Sequence, residues 1–299
     1  ATIGNLNNHI GVPLTLLSMT PNTEIGIVEM GANHQKEIDF LCSICQPDYG
    51  YITNFGKAHL EGFGGIEGVI KGKSELYTYL ENNSKIVFIN PSDEIQIQRT
   101  RNIESIKFNN SLQFLEVNPF VKLTNNNIVI QSKLVGKYNY TNIAIACTIG
   151  KYFEISNEKI KEAIENYIPD NNRSQIINKE YNKIILDAYN ANPSSMIAAL
   201  ENFNTINEVN KTVVLGDMFE LGETSIEEHQ TIVNLVEKLN FTNSYFVGEN
   251  FHQTKTTKTT FKTFNTLSEH LKNNPLKDQS ILIKGSRGMS LERLLELIN

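Results

Sequence analysis

Short apolar runs that stop at a charged residue, pass into a polar loop and then into an amphipathic helix recur along the chain. KIILDAYNANPSSMIAALENF, KTVVLGDMFELG and QSILIKGSRGMSLERLLELI are examples. An apolar run without polar alternation reads as a strand buried on both faces, and a helix after each supplies the crossover a parallel sheet requires. The rhythm predicts an α/β architecture whose ligands gather in a crevice at the strands' carboxyl ends. Before residue 80 the pattern gives helices at 13–19, 35–44 and 66–80, with strands at 24–30 and 49–53. Residues 85–134 change to short strands split by Asn-rich turns, which predicts an antiparallel subsheet on the edge of the first domain. Helices follow at 142–153 and 157–167. The turn-rich PDNN at 169–172 is the expected linker, so the expected domains are 1–169 and 170–299. In the second, Ser225 with Glu228 reads as a capping box.

Composition narrows the function. The 299 residues carry 27 basic and 33 acidic side chains, a net charge of -6 without a strong basic block. Nucleic acid is not an expected partner. No apolar run approaches the ~20 residues of a membrane helix, and no signal peptide is evident, so a cytoplasmic protein without membrane insertion is expected. Three cysteines do not make a disulfide framework. Cys42 and Cys45 form a CxxC, but they fall on the apolar stripe of a helix and read as structural thiols. The chain opens in a loop, ATIGNLNNHIGVP, where a parallel-sheet domain normally begins with a strand. A strand upstream of Ala1 is therefore expected.

The sharpest local puzzle is Lys73. It lies on the stripe Ile66, Val69, Ile70, Leu76, Tyr77, Leu80, and an ammonium is rarely buried without a partner. A snorkelling stem is the ordinary explanation. The neighbourhood argues for chemistry. A glycine-rich loop carrying His59 precedes the helix, and Glu29 sits near the end of the run 25–30. A carboxylate, an imidazole and a lysine in one crevice suggest a metal site that handles phosphate oxygens. Asp187 and Asp217 read singly as helix caps, and Asn190 and Asn192 as turn formers. Together, so many polar strand ends favour a binding face. His229 reads equally well as a satisfied core histidine or a catalytic one. Arg173 is either a surface arginine or a phosphate clamp. Ser286 and Arg287 are candidates for gripping a peptide carboxylate.

The strings TIGNLNNHIGVPLTLL, EMGANHQKEI, ITNFGKAHLEGFGGIEGVIKGKSELY, GKYNYTN, DAYNANPSSM, LGDMFELG and KGSRGM, in this order, resemble the Mur ligases. Within them they resemble the branch that joins D-alanyl-D-alanine to UDP-N-acetylmuramoyl-tripeptide in peptidoglycan synthesis. The resemblance implies a central ATPase-type parallel-sheet domain with an antiparallel subsheet, followed by a Rossmann-like C-terminal domain. It implies ATP as cosubstrate, Mg²⁺ held by Glu29 and His59, and a second Mg²⁺ held through Lys73 carbamylated by CO2. Asn139 and Asn142 match adenine-contacting asparagines, Arg173 the arginine reaching the terminal phosphate, and Asp187 the ribose-binding aspartate. Thr2, Asn5, Asn7 and Asn8 match the loop that meets the nucleotide-peptide substrate. Tyr138 stands where histidine is usual before Asn139, and Asn172 where glycine is usual before Arg173.

The implied reaction has two steps. The tripeptide carboxylate takes the γ-phosphoryl group of ATP, and the amine of D-alanyl-D-alanine then displaces phosphate from the acyl phosphate. A monomer is implied. The family's P-loop, GxxGKS/T, does not occur in residues 1–299. It is expected upstream of Ala1, and residues 1–299 alone are expected to be inactive. A P-loop-less binding or regulatory relative is the competing reading, with a folylpolyglutamate synthase-like ligase behind it. Glu29, His59 and Lys73 favour the ligase.

Overall fold

Residues 1–169 and 172–298 are described by the computed structural model; residues 170 and 171 of the expected linker lie outside them. Contacts divide the chain into two units, Ala1–Asn109 and Asn110–Asn299.

The first unit runs α1 (Gly11–Leu17), α2 (Glu37–Cys45), β1 (Tyr49–Gly50), α3 (Leu60–Phe63), α4 (Ile66–Lys73), α5 (Glu75–Asn82), β2 (Ile86–Ile89), α6 (Glu94–Arg99) and β3 (Ser105–Lys107). Its strands form a parallel sheet in the order β1-β2-β3. Val87 and Ile89 of β2 pack with Ile52, Phe55, Ile70, Tyr77 and Leu80 into one core. Val12, Ile38, Leu41 and Cys42 make a second, under α1 and α2. The CxxC lies on this stripe: burial pushes the Cys42 thiol up to about 12 and raises Cys45 as well. Thiolate chemistry is thereby disfavoured.

Two expectations for this unit change. The helix expected at 66–80 is interrupted at Ser74, where α4 closes and α5 begins. Gly72 and Ser74 are weak helix formers, and the break falls between them and the stronger run ELYTYL. The run 24–30 is extended but is not a strand. Thr2 N–H donates to the Ile27 carbonyl at 3.0 Å, yet Ile25 and Ile27 are 51% and 65% exposed. Its β-branched residues suit a strand, but a strand exists only through its ladder. The three-stranded sheet does not include this segment.

The second unit begins with β4 (Gln113–Val117), β5 (Phe120–Asn125) and β6 (Ile128–Val135), an antiparallel sheet, followed by α7 (Asn139–Tyr152) and α8 (Asn157–Asn166). Then come β7 (Gln175–Asn178), β8 (Asn182–Asp187), α9 (Pro193–Thr205), β9 (Lys211–Gly216), α10 (Ser225–Leu239), β10 (Asn243–Val247), α11 (Glu249–His252), β11 (Thr259–Phe261), α12 (Phe264–Asn273) and β12 (Gln279–Lys284). These strands form a six-stranded sheet in the order β11-β10-β9-β12-β8-β7. All neighbours are parallel except β7 with β8. β12, the last strand in sequence, is inserted between β8 and β9. The carboxyl ends of these three strands, Asp187, Gly216 and Lys284, therefore lie side by side.

Helices cover the sheet through stripes at helical spacing: Met196, Ala199, Leu200 and Phe203 of α9, and His229, Ile232, Val233 and Val236 of α10 are buried. The capping box expected at Ser225 and Glu228 does not form. A 3₁₀ turn at Gly222–Thr224 leads into α10, its N-cap is Thr224, and no side chain caps it. A 3₁₀ lead-in ties up backbone groups that a cap would otherwise satisfy.

One cap crosses between elements of the first unit. α2 starts after Lys36, a left-handed residue that offers no side-chain cap. Instead the Glu75 carboxylate of α5 accepts from Lys36 N at 2.6 Å and Asp39 N at 3.0 Å. Glu75→Ala is expected to destabilise the protein by about 1 kcal/mol, the usual value of a lost N-terminal cap. A urea midpoint that does not move would contradict this.

Candidate active site

In the first unit the amino-terminal loop and the GANH segment are tied together by side chains. Asn7 Nδ2 donates to Glu29 Oε1 at 2.8 Å. Thr2 Oγ1 accepts from Glu29 N at 2.9 Å, and Gly31 N donates to Asn7 O at 2.8 Å. Gly31 is required here, since a Cβ would come within 2.7 Å of the Asn7 carboxamide. Thr2 and Asn7, expected to meet the nucleotide-peptide, are thus brought together with Glu29, expected to hold Mg²⁺. Asn8 turns inward on the chain: its Oδ1 accepts from Ile10 and Gly11 N, opening α1. Asn5 contributes its carbonyl to Asn7 N.

The GANH segment also meets the glycine-rich loop. A Cβ on Gly62 would overlap the Asn33 carbonyl, so the AHLEGFG backbone approaches as only glycine allows. Glu37 fixes the other side, with Oε2 accepting from Asn33 N at 2.7 Å and His34 N at 3.1 Å. Burial pushes the Glu37 carboxyl up, but these bonds and the His34 ring outweigh it and hold the pKa below the usual carboxylate value. His59 is half-buried and left-handed (φ 54°), immediately before α3. Lys73 closes α4, and its Nζ donates to the Asn54 carbonyl at 2.8 Å. Burial lowers its pKa, so the ammonium is disfavoured relative to the amine. Among the described residues no three His, Cys, Asp or Glu side chains cluster to enclose a metal ion.

In the second unit the crevice is built at the ends of β8, β9 and β12. Lys284 Nζ lies 2.6 Å from Asp187 Oδ2 and 3.2 Å from the Asn190 carbonyl. The other carboxylate oxygen of Asp187 accepts from Ser174 N at 3.0 Å. Ser286 bridges loops: its N donates to Asp217 O, and its Oγ accepts from Phe219 N at 2.9 Å and donates to Ala191 O at 3.4 Å. Arg287 is exposed, beside Glu292 at 3.4 Å. Asn139 is buried with Nδ2 on the Val135 carbonyl, and Asn142 Nδ2 donates to Asn139 Oδ1. Arg173 is exposed and stacks on the Tyr189 ring at 4.1 Å. Tyr138 OH and Ser174 Oγ share a 2.5 Å hydrogen bond. Burial and the Asp187 carboxylate push the Tyr138 hydroxyl pKa up.

Comparison with known proteins agrees with this layout. A model of the Mur ligase middle domain matches residues 1–150, and one of the Mur ligase glutamate ligase domain matches 172–287. The chain belongs to the Mur ligase family. It is 32% identical to a Bacillus subtilis UDP-N-acetylmuramoyl-tripeptide–D-alanyl-D-alanine ligase over 99% of its own length and 68% of that protein's. The Escherichia coli ligase of the same name is 30% identical, covering 99% of this chain. A crystal structure of MurF from Acinetobacter baumannii superposes with a TM-score of 0.87 at 28% identity, over 99% of this chain and 69% of that one. MurF from Thermotoga maritima, solved in complex with ADP, shares the fold with a TM-score of 0.85 at 23% identity.

Several polar residues of this Mur ligase chain have structural duties. The Asn192 side chain caps α9 in a reciprocal box with Ser195, and Asn190 Oδ1 accepts from Ala191 N. The Asp217 carboxylate accepts from Asn250 and Phe251 N at the start of α11, both at 2.9 Å. His229 is a core histidine. Its Nδ1 meets the Ser225 carbonyl at 2.6 Å, and Nε2 accepts from Met218 N at 3.0 Å. That pattern requires the neutral ring. Lys284, Glu37 and Asn54 were not singled out as site residues from sequence. Only Lys284 left a signal there, as a charge closing the apolar run QSILI.

Burial depresses the His229 pKa below 6.5, against the raising influence of the Ser225 carbonyl and the Asp217 and Glu228 charges. A depressed folded pKa gives stability that is present above the unfolded value and lost as pH falls. Unfolding free energy should drop below pH 6.5 with a slope approaching about 1.4 kcal/mol per pH unit from this group. In His229→Phe the protein should be less stable at neutral pH, yet the pH profile just below 6.5 should flatten. An unchanged slope would show that His229 does not titrate on unfolding.

Proposed function

We propose that the chain is part of an ATP-dependent ligase that joins D-alanyl-D-alanine to UDP-N-acetylmuramoyl-tripeptide through an acyl phosphate, residues 1–299 alone being inactive. What carries this reading is that its likeness to a ligase of that name, 32% identical, extends over 99% of the chain. The expected domains, a central one to residue 169 and a Rossmann-like one from 170, are part of it. So is a cytoplasmic monomer without membrane insertion; no described helix is long and apolar enough to cross a membrane.

The residues of the first unit suit Mg²⁺ that arrives with a nucleotide. Mg²⁺ prefers one or two carboxylates plus phosphate oxygens over an all-protein cage. Glu29, steadied by Asn7 and Thr2, supplies such a carboxylate, and His59 is the second ligand of the reading. Metal bound there would neutralise charge on the transferring phosphoryl group. Lys73 fits the carbamate role for a physical reason. Only the neutral amine attacks CO2, forming the N–C bond and releasing a proton, and burial shifts the Lys73 equilibrium toward that form. The product is a carboxylate-like anion where an ammonium would repel a metal.

The second unit's share is to hold the nucleotide and the peptide. Asn139 and Asn142 face the adenine and Asp187 the ribose. Stacking on Tyr189 occupies the face of the Arg173 guanidinium and leaves its edge donors for phosphate. Ser286 and Arg287, with the DAYNANP loop of Asn190 and Asn192, are placed on the peptide side. The amino-terminal loop of Thr2, Asn5, Asn7 and Asn8 is read as meeting the nucleotide-peptide.

The test uses the full gene product. ADP release should require both UDP-N-acetylmuramoyl-tripeptide and D-alanyl-D-alanine; release that ignores either would defeat the reading. Lys73→Ala and Lys73→Arg should each lower kcat by at least about 10²–10³-fold, the scale of losing one preorganised electrostatic group. Nucleotide binding should persist. Near-normal turnover in Lys73→Arg, which keeps the cation but cannot form the carbamate, would return Lys73 to a snorkelling role.

A further inference from the structure

Lys284 belongs to no part of the mechanism above, yet it is among the most buried charged residues of the chain. Its side chain is 2% exposed, and that of its partner Asp187 is 14% exposed. Parallel register sets the pair: Lys284 of β12 lies directly beside Asp187 of β8. An ammonium so enclosed must be compensated, and here its donors go to Asp187 Oδ2 and the Asn190 carbonyl. Two and three positions later in the sequence come Ser286 and Arg287, the candidates for the peptide carboxylate. A lysine in KGSRG would therefore ordinarily be assigned to the peptide. The geometry argues otherwise, because its charge is already committed to Asp187.

We propose that Lys284 is a nucleotide-positioning residue, which acts through Asp187 and does not touch the peptide. The proposal rests on the reading of Asp187 as the ribose ligand. Three segments meet on that carboxylate: β8 itself, β12 through Lys284 Nζ, and residue 174 through Ser174 N at 3.0 Å. Lys284 and Ser174 take one oxygen each and fix the plane of the carboxylate. Each oxygen keeps acceptor capacity for a hydroxyl, and a vicinal diol needs an acceptor held in a fixed orientation. Lys284 also ties the Asn190 carbonyl to the same ammonium, so the start of the DAYNANP loop moves with Asp187. Without the lysine, a mostly buried carboxylate would lose its counter-charge and would reorient or recruit water.

A double-mutant cycle in the full gene product tests this, with Lys284→Met, Asp187→Asn and the double variant read by KM for ATP, KM for D-alanyl-D-alanine and the Kd of ADP. Each single substitution should raise KM for ATP and the Kd of ADP about tenfold, the scale of a lost hydrogen bond to a charged group. The double variant should be no more than about twofold worse than Asp187→Asn, because the lysine acts only through the aspartate. KM for D-alanyl-D-alanine at saturating ATP should rise less than KM for ATP, because Lys284 reaches the peptide-side loop only through the Asn190 carbonyl. A double variant about tenfold worse than Asp187→Asn, or a rise in the dipeptide KM with that of ATP unchanged, would overturn the proposal. Asp187→Asn leaves the Lys284 ammonium, and Lys284→Met the Asp187 carboxylate, buried without a counter-charge. Should a single variant not fold, the double variant, which buries neither charge, still decides, and a Kd of ADP equal to that of the unaltered protein would overturn the proposal. If Asp187→Asn leaves KM for ATP unchanged, the ribose reading itself falls and takes the proposal with it. That outcome is separate from a failure of the lysine alone.

Discussion

The buried ion pair between Lys284 and Asp187 is the constraint on which the second unit's crevice depends. Two strands distant in sequence must lie in parallel register for the charges to meet at 2.6 Å. A one-residue slip would turn each side chain to the opposite face of the sheet. The pair therefore reports the correct assembly of β8 and β12, and it punishes any other. Burying two charges is rarely a gain in stability over an apolar pair. Its value is that it fixes where a carboxylate stands, at the end of a sheet where ligands of α/β proteins bind.

The first unit reaches the same end with carboxylates that hold backbone. Glu37 and Glu75 accept from backbone N–H groups ahead of α2 and in its first turn, and Glu29, outside any helix, accepts from the Asn7 side chain. Glu75 starts α2, Glu37 holds the bend of GANH, and Asn7 steadies Glu29. The polar loops that carry the site are thus pinned by charge-assisted bonds, which are about twice as strong as neutral ones. Apolar packing beneath them supplies the platform but says little about where a loop's side chains point.

Much of this was legible in the sequence. Strand–loop–helix rhythm gives the parallel sheets, because burial on both faces and the crossover helix leave separate marks on composition. Asp187, Asp217 and Lys284 fall at strand ends as the apolar runs imply. What was not legible depends on partners. The run Ile25–Met30 has strand chemistry but lies outside the sheet, and the break at Ser74 is one residue in an otherwise continuous pattern. His229 was ambiguous because helical spacing shows which face is buried, not whether both ring nitrogens are satisfied. Its contacts with Ser225 and Met218 resolve that.

The two departures from the family pattern show how a local change is absorbed. Asn172, where glycine is usual, has φ 57°, the left-handed region that glycine enters without strain. Asparagine is among the side chains that best tolerate it, so the turn before Arg173 survives the substitution. Ser174, on the other side of Arg173, is left-handed too, at φ 50°. Serine has less tolerance for this, and it is held by bonds on both its groups: N–H to Asp187 and Oγ to Tyr138. Tyr138 is the second departure. Its hydroxyl lands on the residue whose backbone most needs an external hold. Arg173 therefore sits between one residue that accepts the left-handed turn and one that is fastened into it, and Asp187 takes part in that fastening. The carboxylate that accepts from Lys284 in this way also holds the residue next to Arg173.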